Sequence, residues 1–336
     1  MKKFLLFILI IGARAVSAQQ LPQFTQYIFN NYLLNPAVTG IENYVDVKMG
    51  HRNQWTGLEG APVTSYLSVN APLGRNFIQG DATAFSGQNG ISPSSRLYTQ
   101  NYQAAEPHHG IGAMVLTDKA GPITQTNVGV TYAYHLGLTS RMNLSVGVMG
   151  GMNRISLNTS EITLTDPNDP AINNSANNGQ WKPDVGVGAW LYSSNYFVGL
   201  SVRQLLPQNY YFGTSRTTGS PTVPHFYFTA GMKIFMTDEI TFMPSVLVKQ
   251  TSPVPLTYDV NGKFNFSDKF WIGGSYRHND AASLLAGFNL SSFVNVGYSY
   301  DITTSALNTV SRGTHEIVLG LMLNNIYRLT APQHGF

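Results

Sequence analysis

Apolar and polar residues alternate one by one along most of the chain, the signature of β-strands, whose successive side chains point to opposite faces. From Tyr196 to Leu205 one face carries Tyr196, Val198, Leu200 and Val202, and the other Phe197, Gly199, Ser201 and Arg203. Phe226, Phe228, Ala230, Met232 and Ile234 likewise oppose Tyr227, Thr229, Gly231 and Lys233, and His315, Ile317, Leu319, Leu321 and Leu323 oppose Thr314, Glu316, Val318, Gly320 and Met322. The same rhythm sets Val128, Val130, Tyr132 and Tyr134 against Asn127, Gly129, Thr131 and Ala133, and Val45, Val47 and Met49 against Asp46, Lys48 and Gly50. The second face is mostly Gly, Ser, Thr and Asn with a scattered charge. A membrane barrel accounts for that face as a polar, crowded lumen, with lipid on the other side. Closure is required, because an open sheet edge in lipid would leave backbone groups unpaired.

The pattern predicts an all-β fold, a transmembrane outer-membrane β-barrel of roughly fourteen antiparallel strands, an even number as such barrels require. The strands are expected to begin near Tyr44, Thr64, Gly110, Gln125, Arg141, Asp184, Tyr196, His225, Ile240, Leu256, Phe270, Ser283, Val294 and Gly313. Tight connections are expected at Ser193–Asn195, Thr237–Glu239, Ser267–Lys269 and Ser291–Ser292, and longer ones at Ser156–Trp181, Leu206–Pro224 and Thr303–Arg312. In chain order they fall on alternate junctions, which matches short periplasmic turns and long surface loops. Arg75–Pro107 breaks this order: it falls on the short-turn side yet is long, and is open to reading as disordered, as a lumen plug or as a docking surface.

Composition supports the barrel. Charged residues make up 11% of the chain, against about 25% in ordinary soluble domains, while 32 glycines and 12% aromatics are high. The first residues read as a secretory signal: Lys2 and Lys3, an apolar run from Phe4 to Ile11, then Ala15-Val16-Ser17-Ala18, with cleavage expected before Gln19. The run is far shorter than the ~20 residues of a spanning helix, and no Cys follows it to be acylated. Setting aside Lys2, Lys3 and Arg14 leaves 17 basic against 17 acidic residues, so the charge balance gives no reason to expect nucleic acid. The expected layout is a signal at 1–18, an N-terminal periplasmic or plug segment at 19–42, a barrel at 43–326 with the long connection at 74–107, and a tail at 327–336. The tail does not alternate, and Phe336 is left without a role.

Several residues are candidates for a site. Arg52, Arg203 and Arg277 fall on lumen faces, as do Asp301 and Glu316, and charges in such a wall must pair. They form either a structural salt-bridge network or a polar channel or peptide-binding surface. Phe24, Tyr27, Phe29 and Tyr32, ahead of Asn35-Pro36-Ala37, suit either a segment that plugs the lumen or docks a partner, or a tail packed against the barrel base. Trp55, just past a strand end, fits the interfacial girdle or a partner anchor. Asp166-Pro167-Asn168-Asp169-Pro170 lacks the spacing and closing Glu of a calcium loop and reads as a solvated turn. His108-His109 reads as an interface position. No catalytic motif appears, no metal or cofactor is expected, the absence of Cys excludes thiol chemistry, and no paired Ser and His stand out on a lipid-facing surface.

The segment Leu21–Gly40 (LPQFTQYIFNNYLLNPAVTG), followed by His51–Gly57 (HRNQWTG) and Gly60–Pro62 (GAP), resembles the PorP/SprF family of type IX secretion outer-membrane proteins of Bacteroidetes. Thr117–Lys119 with Gly121–Pro122, Pro183–Gly188, Tyr196–Ser201, Pro244–Ser245, Trp271–Arg277, Gly297–Asp301 and His315–Glu316 extend the resemblance over nearly the whole mature chain. It implies a non-enzymatic partner of the export and gliding apparatus, in contact with outer-membrane lipid. That partner would bind the C-terminal domain of a secreted adhesin or the periplasmic ring lipoproteins. A passive, porin-like channel and a membrane-embedded hydrolase are the competing readings.

Overall fold

The structure, a computed structural model, describes residues 21–74, 94–162, 179–210 and 220–325. The expected alternation becomes fourteen antiparallel strands: β1 Val45–Asn53, β2 Val63–Leu73, β3 His108–Ala120, β4 Ile123–Thr139, β5 Met142–Leu157, β6 Gln180–Tyr192 and β7 Tyr196–Arg203. They continue as β8 His225–Met232, prolonged by Ile234–Phe235, then β9 Ile240–Thr251, β10 Val254–Phe266, β11 Phe270–Arg277, β12 Ala281–Asn289, β13 Val294–Thr303 and β14 Thr314–Leu323. Each starts within four residues of its expected position, the widest gap being Gln180 against Asp184. Every strand pairs with its sequence neighbours, and β1 pairs β14 from Val45↔Leu323 to Asn53↔His315, so the ring closes without a free edge.

The two faces divide as the alternation requires. Outward positions such as Val130, Val148, Leu200, Phe226, Ile272 and Leu284 are exposed apolar side chains, as a lipid-facing wall needs. Inward positions such as Thr131, Asn153, Ser201, Asn261, Ser299 and Glu316 are buried polar ones.

The connections sort into two mouths with one correction. The turn mouth carries the tight links at 140–141, 193–195, 236–239, 267–269 and 290–293, and also the long 74–107 connection. The opposite, loop mouth carries 54–62, 158–179, 204–224 and 304–313, but also tight links at 121–122, 252–253 and 278–280. Strict alternation of short and long therefore fails at three junctions besides 74–107. At the first, β3 and β4 run 13 and 17 residues, beyond the roughly 9–11 that cross a membrane, so the hairpin itself projects and needs no loop. Short turns are periplasmic in such barrels, which sets the loop mouth toward the cell surface.

Part of the long connection lies across the turn mouth. Helix α1, Arg96–Asn101, is capped by Ser95, whose side chain accepts from the Tyr98 amide. Just before it, the Ser94 carbonyl accepts from Thr241 at 2.8 Å and its hydroxyl from Asn265 at 2.8 Å. Just after it, the buried Tyr102 hydroxyl accepts from Asn143 at 2.9 Å. The described stretch thus reaches from β9 and β10 to β5 as a cover. Residues 75–93, the signal, the 166–170 turn and Phe336 lie outside the described residues.

Residues 21–44 thread the lumen from mouth to mouth rather than packing against the base. The Leu21 amide donates to His225 Nε2 at the loop mouth, 3.3 Å away. The segment then descends past Ser68, which accepts from Asn30, and past Thr131, which bonds the Tyr32 hydroxyl. It passes Ser145, which donates to Ala37 O, and reaches Tyr44, packed against Met322 at the turn mouth. Two 3-10 turns, Asn31–Leu33 and Pro36–Val38, compact it, the second capped by the Asn35 side chain accepting from Ala37 N. The apolar core of the molecule is this plug: Phe24, Tyr27, Ile28, Tyr32, Leu33, Leu34, Ala37 and Ile41 pack against inward Tyr66, Met114, Met149, Trp190, Phe197 and Leu247.

The polarity of the plug makes a labelling prediction. The chain has no native cysteine, so Gln23→Cys is expected to react with a membrane-impermeant maleimide on intact cells. Asp238→Cys, in an exposed turn of the opposite mouth, should react only after permeabilisation. The reverse pattern would show that the barrel sits the other way up.

Candidate functional site: the plugged lumen

The plug is held by an ionic cluster near the loop mouth. Arg52 faces Glu316 directly across the β1–β14 ladder. Its guanidinium fork reaches Glu316 Oε2 and Asp301 Oδ2, each at 2.8 Å. Arg277, directly opposite Asp259 on β10, bonds that carboxylate at 3.1 Å and reaches Asp280 at 3.2 Å and Asp301 at 3.9 Å. Lys249 closes on Asp259 from the other side at 3.5 Å. Arg52, Asp301 and Glu316 are each 1–2% exposed, so the charges are compensated by one another and by the plug.

Thr25 sits in the middle of the cluster. Its hydroxyl donates to Asp301 Oδ2 at 2.7 Å and accepts from Arg52 at 2.8 Å and Arg277 at 3.3 Å. The Glu316 carboxylate accepts from the Thr25 amide at 2.8 Å and the Gln26 amide at 3.3 Å. Arg277 also donates to Phe24 O. Charge-assisted bonds to backbone fix the register of a segment that has no regular structure to fix it.

Farther down, wall side chains take up the plug's carbonyls. Arg203 donates to Leu33 O at 2.6 Å and Ser201 to Leu34 O at 2.7 Å. The Asn35 amide donates to Ala189 O and Leu200 O, and His135 Nε2 lies 2.8 Å from Thr39 O. The wall also makes room for the backbone. A Cβ on Gly147 would lie 2.5 Å from Ala37 N and Pro36 C, and one on Gly110 would overlap Thr39 O. Burial raises the Tyr27, Tyr32 and Tyr44 hydroxyls above the ordinary phenol range, Tyr32 to about 12, so the plug's phenols stay neutral at physiological pH.

Of the five lumen charges expected to form a network, the structure brings four together: Arg52, Arg277, Asp301 and Glu316. Arg203 stands apart on β7, where it faces Asp184 at 3.8 Å. The reading missed Asp259, Lys249 and Asp184. All three occupy inward positions of alternating strands, so parity would have exposed them. Nothing in the residue pattern marks Thr25.

Two of the aromatic candidates lie inside the lumen. Phe24 and Tyr27, expected as partner contacts, are buried in the lumen at 7% and 1% exposure, because they anchor the plug. Phe29 is half-buried in a cavity of about 60 Å³, 6.2 Å from the Trp271 ring and beneath Lys48. Trp55 sits half-buried at the loop mouth with φ 49°, its amide donating to Thr314 Oγ1 at 3.0 Å. The lipid-facing wall, where no paired Ser and His were expected, does carry one such pair: His51 Nδ1 lies 2.9 Å from Ser65 Oγ. No carboxylate among the described residues bonds the other imidazole nitrogen, and the Ser65 backbone belongs to the strand ladder.

A family model described as "Type IX secretion system membrane protein PorP/SprF" matches residues 16–321. The chain belongs to the PorP/SprF family. As a family member with a closed barrel, it is an outer-membrane protein of the type IX secretion system.

Solved barrels resemble it at low identity. The CymD monoaromatic hydrocarbon channel is 10% identical over 91% of this chain and 93% of its own, with a TM-score of 0.47. The Ralstonia pickettii toluene transporter TbuX is 9% identical over 86% and 92%, at 0.46. A Pseudomonas aeruginosa FadL homologue is 11% identical over 91% and 94%, at 0.42. At these scores the likenesses add nothing to the strand pairing described above. No curated protein matches the chain.

Proposed function

We propose that this PorP/SprF barrel is a non-enzymatic partner of the type IX export and gliding machinery and works through protein contact. It engages the C-terminal domain of a secreted adhesin or the periplasmic lipoprotein ring, and so supports export and surface attachment. The observation that carries this reading is the filled lumen. A passive channel needs an aqueous path, whereas here residues 21–44 supply the core and the ionic cluster closes around Thr25. The surfaces left for a partner are the loop mouth beside Trp55 and the cover formed by α1 at the turn mouth. No cofactor enters this reading.

The test is an affinity pulldown from native outer membrane in mild detergent, with mass spectrometry of what accompanies the barrel. Near-stoichiometric recovery of a large surface protein or of ring lipoproteins is the expected outcome, and the identity of the partner selects between the two roles. A barrel that purifies alone and conducts ions would overturn the proposal in favour of the channel.

A further inference from the structure

The outer wall beside the loop mouth carries a polar patch that borders the apolar belt. On β1 the outward residues His51 and Asn53 follow Met49. Across the ladders His51 meets Ser65 on β2 and Ile317 on β14, and Asn53 meets His315. On β13, Tyr298 lies opposite Ile317 and Tyr300 opposite His315. One register step toward the turn mouth, the outward residues become Val296, Leu319, Met49, Leu67 and Val115, wholly apolar. The polar side chains therefore start at the rim of the hydrocarbon belt.

Their geometry is that of a recognition surface. His51 Nδ1 bonds Ser65 Oγ at 2.9 Å, and His315 Nδ1 bonds the Tyr298 hydroxyl at 2.7 Å. The Tyr300 hydroxyl donates to Arg312 O at 3.0 Å, and its ring lies 5.0 Å from His315. These bonds hold the rings in place and leave Nε2 of both histidines and the Asn53 amide without a protein partner among the described residues. At the rim of the belt such groups face lipid headgroups and can hydrogen-bond to them. Lys119, on the same outer face of β3, is taken by Glu161 at 2.9 Å. Arg312 lies exposed in the adjoining loop, while the strands themselves present neutral hydrogen-bonding groups beside the exposed Tyr298 ring and the half-buried Tyr300 ring, which suits sugar hydroxyls and the apolar faces of pyranose rings.

We propose that the outer wall of β13, β14, β1 and β2 next to the loop mouth binds the sugar headgroup of an outer-leaflet glycolipid. The commitment to a lipid-borne sugar follows from position, since the patch borders the acyl-facing belt and not the lumen.

The experiment compares native mass spectra of the protein extracted from its own outer membrane in mild detergent. Wild type is expected to carry bound glycolipid. The variant His51→Leu/Tyr298→Leu/His315→Leu should carry roughly tenfold less, as expected when a few neutral hydrogen bonds are lost. Leucine suits a lipid face, so this variant should fold at least as well, which heat-modified gel migration checks. A control, Tyr258→Leu/Tyr276→Leu, removes outward tyrosines, one half-buried and one exposed, from β10 and β11 and should keep the lipid. Equal occupancy in the triple variant, an equal loss in the control, phospholipid alone, or equal binding of the oligosaccharide freed from its lipid would each overturn the proposal.

Discussion

Arg52→Ala is expected to destabilise the barrel by about 3–5 kcal/mol, the usual cost of removing one partner from a buried ion pair. The guanidinium satisfies Glu316 and Asp301 at 2.8 Å each and donates to Thr25. Its loss leaves two carboxylates facing each other at 1% exposure, with only Arg277 at 3.9 Å to offset Asp301. Denaturant unfolding of the protein in lipid vesicles would read the change. Arg52→Lys should fall between wild type and Ala, because an ammonium keeps the charge but cannot fork to two carboxylates and a hydroxyl. A midpoint for Arg52→Ala that matches wild type would mean that the cluster does not hold the barrel together.

The second large effect concerns the plug. Gly147→Leu is expected to expel the middle of the segment, because the added side chain starts 2.5 Å from the Ala37 and Pro36 backbone. Backbone cannot swing aside as a side-chain tip can, and overpacking of this kind typically costs about 1–3 kcal/mol even in forgiving sites. The strand itself is unharmed, since Gly147 lies within a regular β4–β5–β6 ladder. The expected outcome is a barrel that still inserts and migrates as folded but conducts in discrete steps in a planar bilayer. A silent variant with wild-type stability would mean that the plug is not packed as described. Gly147→Ala should give a milder form of the same effect.

How much of this was legible in the residues depends on what each feature rests on. The wall was legible because lipid on one side and a polar lumen on the other force a period of two, which survives in every strand from β1 to β14. Strand starts followed from the same rhythm. The tight link at 121–122 was not, because a hairpin that projects beyond the membrane looks in sequence like one that ends at it. The lumen charges were legible as a face but not as neighbours. Parity places Arg203 inward as surely as Arg52, yet β7 lies far around the ring from β13, β14 and β1, so Arg203 meets Asp184 instead. Asp259 could have been found, since it is inward on β10 and directly opposite Arg277.

The plug was the least legible part. Its aromatics marked it as something that packs, but its path rests on bonds such as Thr25 to Asp301 and Ser145 to Ala37, made between residues 276 and 108 positions apart. An irregular backbone held by remote side chains leaves no period to read. The burial of Phe24 and Tyr27 was hidden for the same reason, because an aromatic that anchors a plug and one that meets a partner look alike before the wall is in place.

Residues 21–44 fill the barrel, and single-channel recording of the purified wild-type protein in a planar bilayer checks that they close it. A quiet membrane is expected, with insertion confirmed by recovering folded protein from the bilayer. Steady open-channel conductance from the unmodified protein would contradict it.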